Sequence, residues 1–261
     1  MLSLEQARRA IRREVLVALD ELDALDGEAW ARPTRCQEWT VADLVAHLVW
    51  GQRLEAQGVA AIATGRTEAL DVPDVSAADP GTLPMQLHAA HEELWAALEA
   101  RTADDLDRPA AMPYGPVPLG LFLQVVAMEV GVHHSDLRAA LGLPDDLGAD
   151  VARATAAFLA AFLPVLAAAG DRPAEPVRYV LRAPSFELEW SSGDGAGRTV
   201  TISGPDGELC LFALGRRGLD DLHVDGDPAL AARFKEFVPA PRAGRWGTSR
   251  RCGPARPAGG T

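Results

Sequence analysis

Five stretches written with a helical period fill the first 169 residues, and the period stops at Gly170. Leu4, Ile11, Val15, Leu19 and Leu22 recur at helical spacing through about Leu25, behind Ser3 and Gln6 placed as a capping box. Thr40 and Asp43 form a second box ahead of a helix predicted over 41–64, with Trp39 and Leu44 where a hydrophobic staple would sit. A third helix is predicted over 82–99, with Leu83, Leu87, Leu94 and Leu98 on one face. A fourth covers 119–141 and stops at Gly142, a good C-terminal cap residue. A fifth, over 149–169, carries Val151, Phe158, Phe162 and Val165. This alternation of long helices and short connections predicts a four- or five-helix bundle over 1–169.

Beyond residues 170–176 the texture changes. Strand-like pieces are predicted at 177–181, 186–190, 199–202 and 209–214, with turns at 193–197 and 204–207 and a closing helix over 228–237. Residues 172–240 therefore read as a small mixed α/β domain, so the fold class is α plus α/β. Residues 241–261, rich in Gly, Pro, Arg and Ser, read as a disordered tail.

A hydrophobic share of 48% supplies a sizeable core, while a net charge of -12 repels phosphate backbones and anionic headgroups. Nucleic acid and membrane are therefore not expected partners. No apolar run is expected to approach a membrane span, and the Arg- and Glu-laced first 26 residues do not read as a signal peptide. The expected compartment is the cytoplasm. Cys36, Cys210 and Cys252 form no CxxC pair and no disulfide framework. Cys36 reads as a small buried hydrophobe, with a reactive thiol as the alternative.

Function enters with polar residues on faces that should be buried. Phe122, Val126, Glu129, His133, Leu137 and Ala140 fall on one side of the fourth helix, and Glu129 and His133 stack one turn apart. A carboxylate facing an apolar core costs several kcal/mol unless it is paired or binds a metal. On the second helix, Leu44, His47, Leu48 and Gly51 share a face. Two imidazoles and one carboxylate leave a fourth position open on a catalytic zinc ion. His47 alone also reads as a satisfied core histidine. Asp43 and Asp136 are candidate acceptors behind the ligands. His91 reads as a core or boundary histidine, His88 and His134 as surface. The chain shows no phosphate-binding loop and no Gly-x-Ser-x-Gly elbow.

The stretch Pro33-Thr34-Arg35-Cys36-Gln37-Glu38-Trp39-Thr40-Val41-Ala42-Asp43-Leu44-Val45-Ala46-His47-Leu48 resembles the opening motif of the mycothiol-dependent maleylpyruvate isomerase family, a Cys, a Trp, then T-V-x-D-L-x-x-H-L. Glu129-Val130-Gly131-Val132-His133-His134-Ser135-Asp136-Leu137 is similar to its second motif, E-x-x-x-H-x-x-D-L, although His134 and Ser135 replace the Gly and Trp often found there. The segment from Leu209 to Gly215-Arg216, followed by Val224-Asp225-Gly226-Asp227-Pro228, resembles the family's small sterol-carrier-like domain. The likeness spans about residues 1–240.

The resemblance implies a DinB-like bundle in which His47, Glu129 and His133 hold zinc or another divalent metal. It also implies mycothiol as a low-molecular-weight thiol partner, a small electrophilic substrate, and Arg216 as a catalytic residue with Arg217 close behind. The implied reaction is thiolate addition, bond rotation and elimination, as in maleylpyruvate isomerisation. A mycothiol S-transferase or natural-product tailoring enzyme is the alternative on the same scaffold, and a non-catalytic ligand-binding protein is a second. Substrate, oligomeric state and native metal stay open.

Overall fold

The computed structural model describes residues 1–36, 38–67, 72–73, 75, 79–113, 115–171, 173, 175–192 and 197–239. The expected tail and Cys252 lie outside them, as does the turn at 193–197 except for Gly197.

The five long helices are α1 (Leu4–Asp23), α2 (Val41–Thr64), α3 (Leu83–Glu99), α4 (Leu119–Leu141) and α5 (Ala149–Ala168). Their starts follow the sequence signals. Ser3 accepts from the Gln6 N–H while the Gln6 side chain returns to Ser3, and Thr40 and Asp43 close the same reciprocal box on α2. Gly142 ends α4 in the left-handed conformation, φ 73°. A two-residue ladder, β1 (Pro109–Ala110) with β2 (Val117–Pro118), pins the Pro-rich connection into α4. Periodic residues from all five helices meet in one core, in which Ile11, Leu44, Leu94, Phe122 and Leu159 are fully or almost fully buried, whereas Val165 of the fifth helix is exposed.

Helix α5 corrects one expectation. Its 20 residues, with hydropathy 1.8, are long and apolar enough to cross a membrane, the alanines having masked this in the sequence. Just over half of that window, 56%, is buried inside the fold, where Val151, Phe158 and Leu159 pack against the bundle. It packs tightly on α4 at Gly131, midway between Glu129 and His133, where an added Cβ would overlap both methyls of Val151. Gly131→Ala is therefore expected to destabilise by about 1–3 kcal/mol through overpacking, read as a lower urea midpoint at unchanged slope.

After α5 comes a four-stranded sheet of order β4-β3-β5-β6, from β3 (Val177–Arg182), β4 (Glu187–Ser191), β5 (Arg198–Ser203) and β6 (His223–Asp225). The β3–β5 pair is parallel and the two outer pairs are antiparallel. Tyr179 of β3 is fully buried, stacked on Trp190 at 5.7 Å and edge-on to Phe234 at 5.2 Å. Its hydroxyl donates to Leu230 O at 2.7 Å.

Two expectations fail here. Residues 209–214 are not a strand: Asp206–Ala213 is helix α6. Leu209, Cys210, Leu211, Phe212 and Ala213 are all buried, and an uninterrupted apolar run buried on every side has no period to distinguish strand from helix. The closing helix is two short ones, α7 (Pro228–Ala232) and α8 (Phe234–Phe237), divided at Arg233. Strand β6 carried too little apolar pattern to be expected.

Helix α6 ends in a Schellman motif. Gly215 takes the left-handed conformation, φ 75°, and Arg216 N–H donates back to Leu211 O at 2.8 Å. This motif turns Arg216 off the helix axis. Lys235, the single lysine of the chain, donates to Ala213 O and Val238 O and joins α8 to the same corner. Burial pushes its ammonium down to about 7, with Arg216 adding to the effect.

Candidate metal centre

The Pro33–Trp39 connection folds into a tight hairpin. Thr34 N–H and Thr34 Oγ1 both donate to Trp39 O, at 2.9 and 3.0 Å, and Pro33 bridges Thr40. Glu38 turns the corner at φ 68°, a left-handed conformation that costs a non-glycine residue about 1–2 kcal/mol. The turn lays the Trp39 ring 4.8 Å from the His47 ring and 6.0 Å from that of His133. Trp50, one turn after His47 on α2, stacks on the same imidazole at 6.0 Å.

Helices α2 and α4 bring His47, Glu129 and His133 together. Glu129 Oε1 lies 2.8 Å from His47 Nε2 and 3.2 Å from His133 Nε2, and the two rings meet edge to face at 4.9 Å. One ligand atom from each residue fits within a 4.8 Å spread, the grouping a single ion requires. Behind His133, its Nδ1 lies 3.1 Å from Asp136 Oδ2, and Arg216 Nε donates to that same oxygen at 3.4 Å. Asp136 is fully buried and the Arg216 side chain is 8% exposed.

The electrostatics follow from this crowding. Burial opposes the charged form of His133, yet Glu129 and Asp136 on either side push its imidazolium up to about 9. Burial likewise opposes ionisation of Glu129, but the two histidines outweigh it and hold the carboxyl well below its usual range. For Asp136 burial is again outweighed, by Arg216 and His133. Burial and the neighbouring His133 push His47 down. The pocket thus favours a positive charge between Glu129 and the imidazoles, the place a divalent ion would take.

Cys36, His133 and Asp136 form a second grouping of possible ligands on the Nδ1 side of His133. There the Arg216 guanidinium already supplies the cation, and all three residues are buried. The Nε2 side is more open, the Glu129 side chain being 31% exposed, so a small molecule has access to it. The donor set on that side fits a borderline ion such as zinc.

Several sequence readings change. Cys36 is buried, as expected, but among polar groups: its Sγ lies 3.8 Å from His133 Nδ1 and 3.5 Å from Asp136 Oδ2, because the hairpin folds back on α4. Asp43 does not support His47, since its carboxylate closes the Thr40 cap. His134 is not at the surface. It is buried, with Nδ1 2.8 Å from Glu14 and Nε2 3.2 Å from Glu21, and so clamps α4 to α1. Arg217 turns away to Glu208 and Asp145, and Asp145 also pairs with Arg35, so this network ties the Cys36 hairpin to α6.

The sequence reading missed Gln52 and Glu55. Glu55 is 7% exposed and accepts from Gln52 Nε2 at 2.8 Å, while Gln52 Oε1 lies 3.1 Å from His91 Nδ1. The spacing of His47, Gly51 and Glu55, four residues each, places them on one face of α2, and this was the available signal.

Residues 11–138 match the N-terminal domain of the mycothiol maleylpyruvate isomerase family, and residues 150–233 match that family's C-terminal domain. The uncharacterized protein Rv0036c of Mycobacterium tuberculosis is 28% identical over 87% of this chain and 94% of its own. The uncharacterized protein Rv0738 of the same organism is 31% identical over 46% of this chain and 59% of its own. Among solved structures, the mycothiol-dependent maleylpyruvate isomerase superposes with a TM-score of 0.67 at 20% identity, over 86% of this chain and 93% of that one. A point mutant of that enzyme gives 0.68 at 19% identity with the same coverage. With both domain profiles matched in order across the bundle and the sheet, the chain belongs to the mycothiol maleylpyruvate isomerase family.

Proposed function

We propose that the protein is a metal-dependent enzyme that uses mycothiol against a small electrophilic alkene, with maleylpyruvate isomerisation as the type reaction. The observation that carries this reading is the convergence of His47 Nε2, Glu129 Oε1 and His133 Nε2 at one partly open point in an otherwise buried bundle. These three residues would hold the ion, zinc by its donor preference, with a fourth position left open. When bound, the ion stabilises a thiolate at neutral pH.

The chain's own residues prepare the site. Asp136 fixes the His133 ring by accepting at Nδ1, leaving Nε2 for the ion. Arg216 keeps Asp136 ionised and buried, so it acts as a positioning residue through Asp136 and His133. Trp39 and Trp50 both pack against the His47 ring and so restrict its movement. The mycothiol thiolate adds to one carbon of the cis double bond, and the π pair moves onto the conjugated carbonyl oxygen. Rotation follows about the new single bond; the pair then returns, the C–S bond breaks, and the trans alkene and thiolate leave. If the adduct is released before elimination, the same site is an S-transferase, and product analysis separates the two. We place the reaction in the cytoplasm, where low-molecular-weight thiols stay reduced.

The test is thiol dependence. Cys36 touches His133 from the Nδ1 side, so the imidazole stands between its sulfur and the Glu129 pocket. Cys210 is buried against Ala152 O, and burial pushes its thiol above the usual range. Cys36→Ala and Cys210→Ala variants are expected to keep turnover that requires added mycothiol. Full turnover without any added thiol, abolished by Cys36→Ala, would establish an internal nucleophile and overturn the proposal.

A further inference from the structure

Helix α2 is joined at the candidate centre by the 33–39 hairpin, by α4 and by the turn after α6. The hairpin lays Trp39 against the His47 and His133 rings. Helix α4 supplies Glu129, His133 and Asp136, and the turn after α6 brings Arg216 onto Asp136. These three pieces are all tied to one residue outside the centre, Asp145, in the connection between α4 and α5. Its carboxylate accepts from Arg35 of the hairpin on Oδ2, and from Arg217 on Oδ1 at 3.1 Å. Its backbone oxygen accepts from Ser135 Oγ at 2.6 Å, and Ser135 stands between His133 and Asp136 on α4. The same connection lies against α6, with Leu147 beside Gly207.

Arg217 follows Arg216 directly, so the carboxylate that holds Arg217 also fixes how the turn presents Arg216. Arg35 lies four residues before Trp39, so holding Arg35 holds the hairpin that carries the ring. The side chains of Arg35, Asp145 and Arg217 are between 19% and 22% exposed. Water screens ion pairs with that much solvent contact, and they add little to global stability. What they fix is local geometry, because a guanidinium fork is rigid and directional. Arg217 also reaches Glu208, and Asp146 at 3.5 Å, so it keeps carboxylate partners when Asp145 is lost. Arg35 stands near enough to Asp136 for their charges to attract. Released from Asp145, its guanidinium would compete for the carboxylate that orients His133 and seats Arg216.

We propose that Asp145 is a positioning residue of the metal centre: it clasps the hairpin and the Arg216 turn to α4 and keeps Arg35 off Asp136. This inference rests on the metal-centre reading above. Asp145 touches neither ion nor substrate. It acts through Arg35 on the seating of Trp39, and through Arg217 and Ser135 on the pair of Asp136 and Arg216, which together hold the His133 ring in place. Its loss is therefore felt locally. The hairpin opens and the ligand geometry loosens, while the helices stay joined through the apolar core of Ile11, Leu44, Leu94 and Phe122.

The test compares three variants of the full-length chain. Asp145→Asn removes the charge at constant shape, Asp145→Glu keeps the charge, and Asp146→Asn removes an exposed charge next door. In Asp145→Asn, amide hydrogen exchange over 33–39 of the metal-free chain is expected to quicken about 10-fold or more, while exchange in α3 keeps the parent's rate. Zinc affinity is expected to fall about 10-fold, the lower end of what loss of a ligand's outer partner costs, and the visible absorption of bound cobalt to change with the ligand geometry. Asp145→Glu and Asp146→Asn are expected to stay within a few-fold of the parent in both readings. Parent-like exchange over 33–39 in Asp145→Asn overturns the proposal. So does an equal effect in Asp145→Glu or Asp146→Asn, or a uniform rise in exchange along the chain that matches a lower urea midpoint, the mark of a merely structural role. If the parent takes up neither zinc nor cobalt, the metal-centre reading fails and exchange alone decides the clasp: quickening confined to 33–39 in Asp145→Asn supports it, and unchanged exchange overturns it.

Discussion

Alanine at His47, Glu129 or His133 is expected to take the protein from one divalent ion per chain to none, and thiol-dependent turnover with it. Each residue contributes one atom to the same 4.8 Å cluster, so losing one leaves two ligands and two or more open positions. Removing even an outer hydrogen-bond partner of a ligand costs about 10–100-fold in metal affinity, and removing a ligand costs more. The three variants should differ in stability. His133→Ala deprives buried Asp136 of one of its two cationic partners and opens a cavity beneath Trp39, so it is the most destabilising. Glu129→Ala leaves two imidazoles without their acceptor but relieves the repulsion on Glu55. Elemental analysis of the purified variants is the check. Full metal occupancy in all three would show that the ion sits elsewhere.

The helical half of the chain was legible because its signals are local. Capping boxes at Ser3 and Thr40 and the glycine after Leu141 fixed three helix ends in the sequence itself. His47, Glu129 and His133 were legible because a polar residue on an apolar helix face stands out against its neighbours. The rest depended on tertiary contacts. Helix α6 is buried all round, so it carried no amphipathic stripe, and its one local marker, Gly215 before Arg216, looked like a turn after a strand. That Cys36 meets α4 was not legible, because the reversal at Glu38 brings it against His133 and Asp136. His134 was assigned to the surface because nothing in α4 shows that Glu14 and Glu21 of α1 face it. Glu55 was legible in principle, two turns beyond His47 on the same face of α2, but nothing local in α2 shows that Gln52 holds it and that His91 of α3 holds Gln52 in turn.

The second large effect is expected at the buried pair of Asp136 and Arg216, where stability and metal affinity can be separated. Arg216 is carried to the site by the Schellman turn after α6 and Asp136 by α4, so the pair joins the sheet region to the bundle. Asp136→Asn leaves the almost fully buried guanidinium without its countercharge, and breaking such a pair costs about 3–5 kcal/mol. It also deprives His133 of the carboxylate that orients its ring, which lowers metal affinity by about 10–100-fold. Arg216→Gln leaves the Asp136 carboxylate in place, and the imidazolium then becomes its main partner. That draws His133 toward the protonated form, which cannot bind an ion, so affinity falls here too. In the double variant Asp136→Asn with Arg216→Gln no charge is stranded, and most of the lost stability should return. Metal affinity should not, because His133 Nδ1 still lacks an ionised acceptor. Urea unfolding of the metal-stripped proteins and zinc titration of the folded ones give the two readings separately. If Asp136→Asn costs less than about 0.5 kcal/mol, the level of an ordinary surface change, and binds zinc like the parent, neither Asp136 nor Arg216 supports the centre.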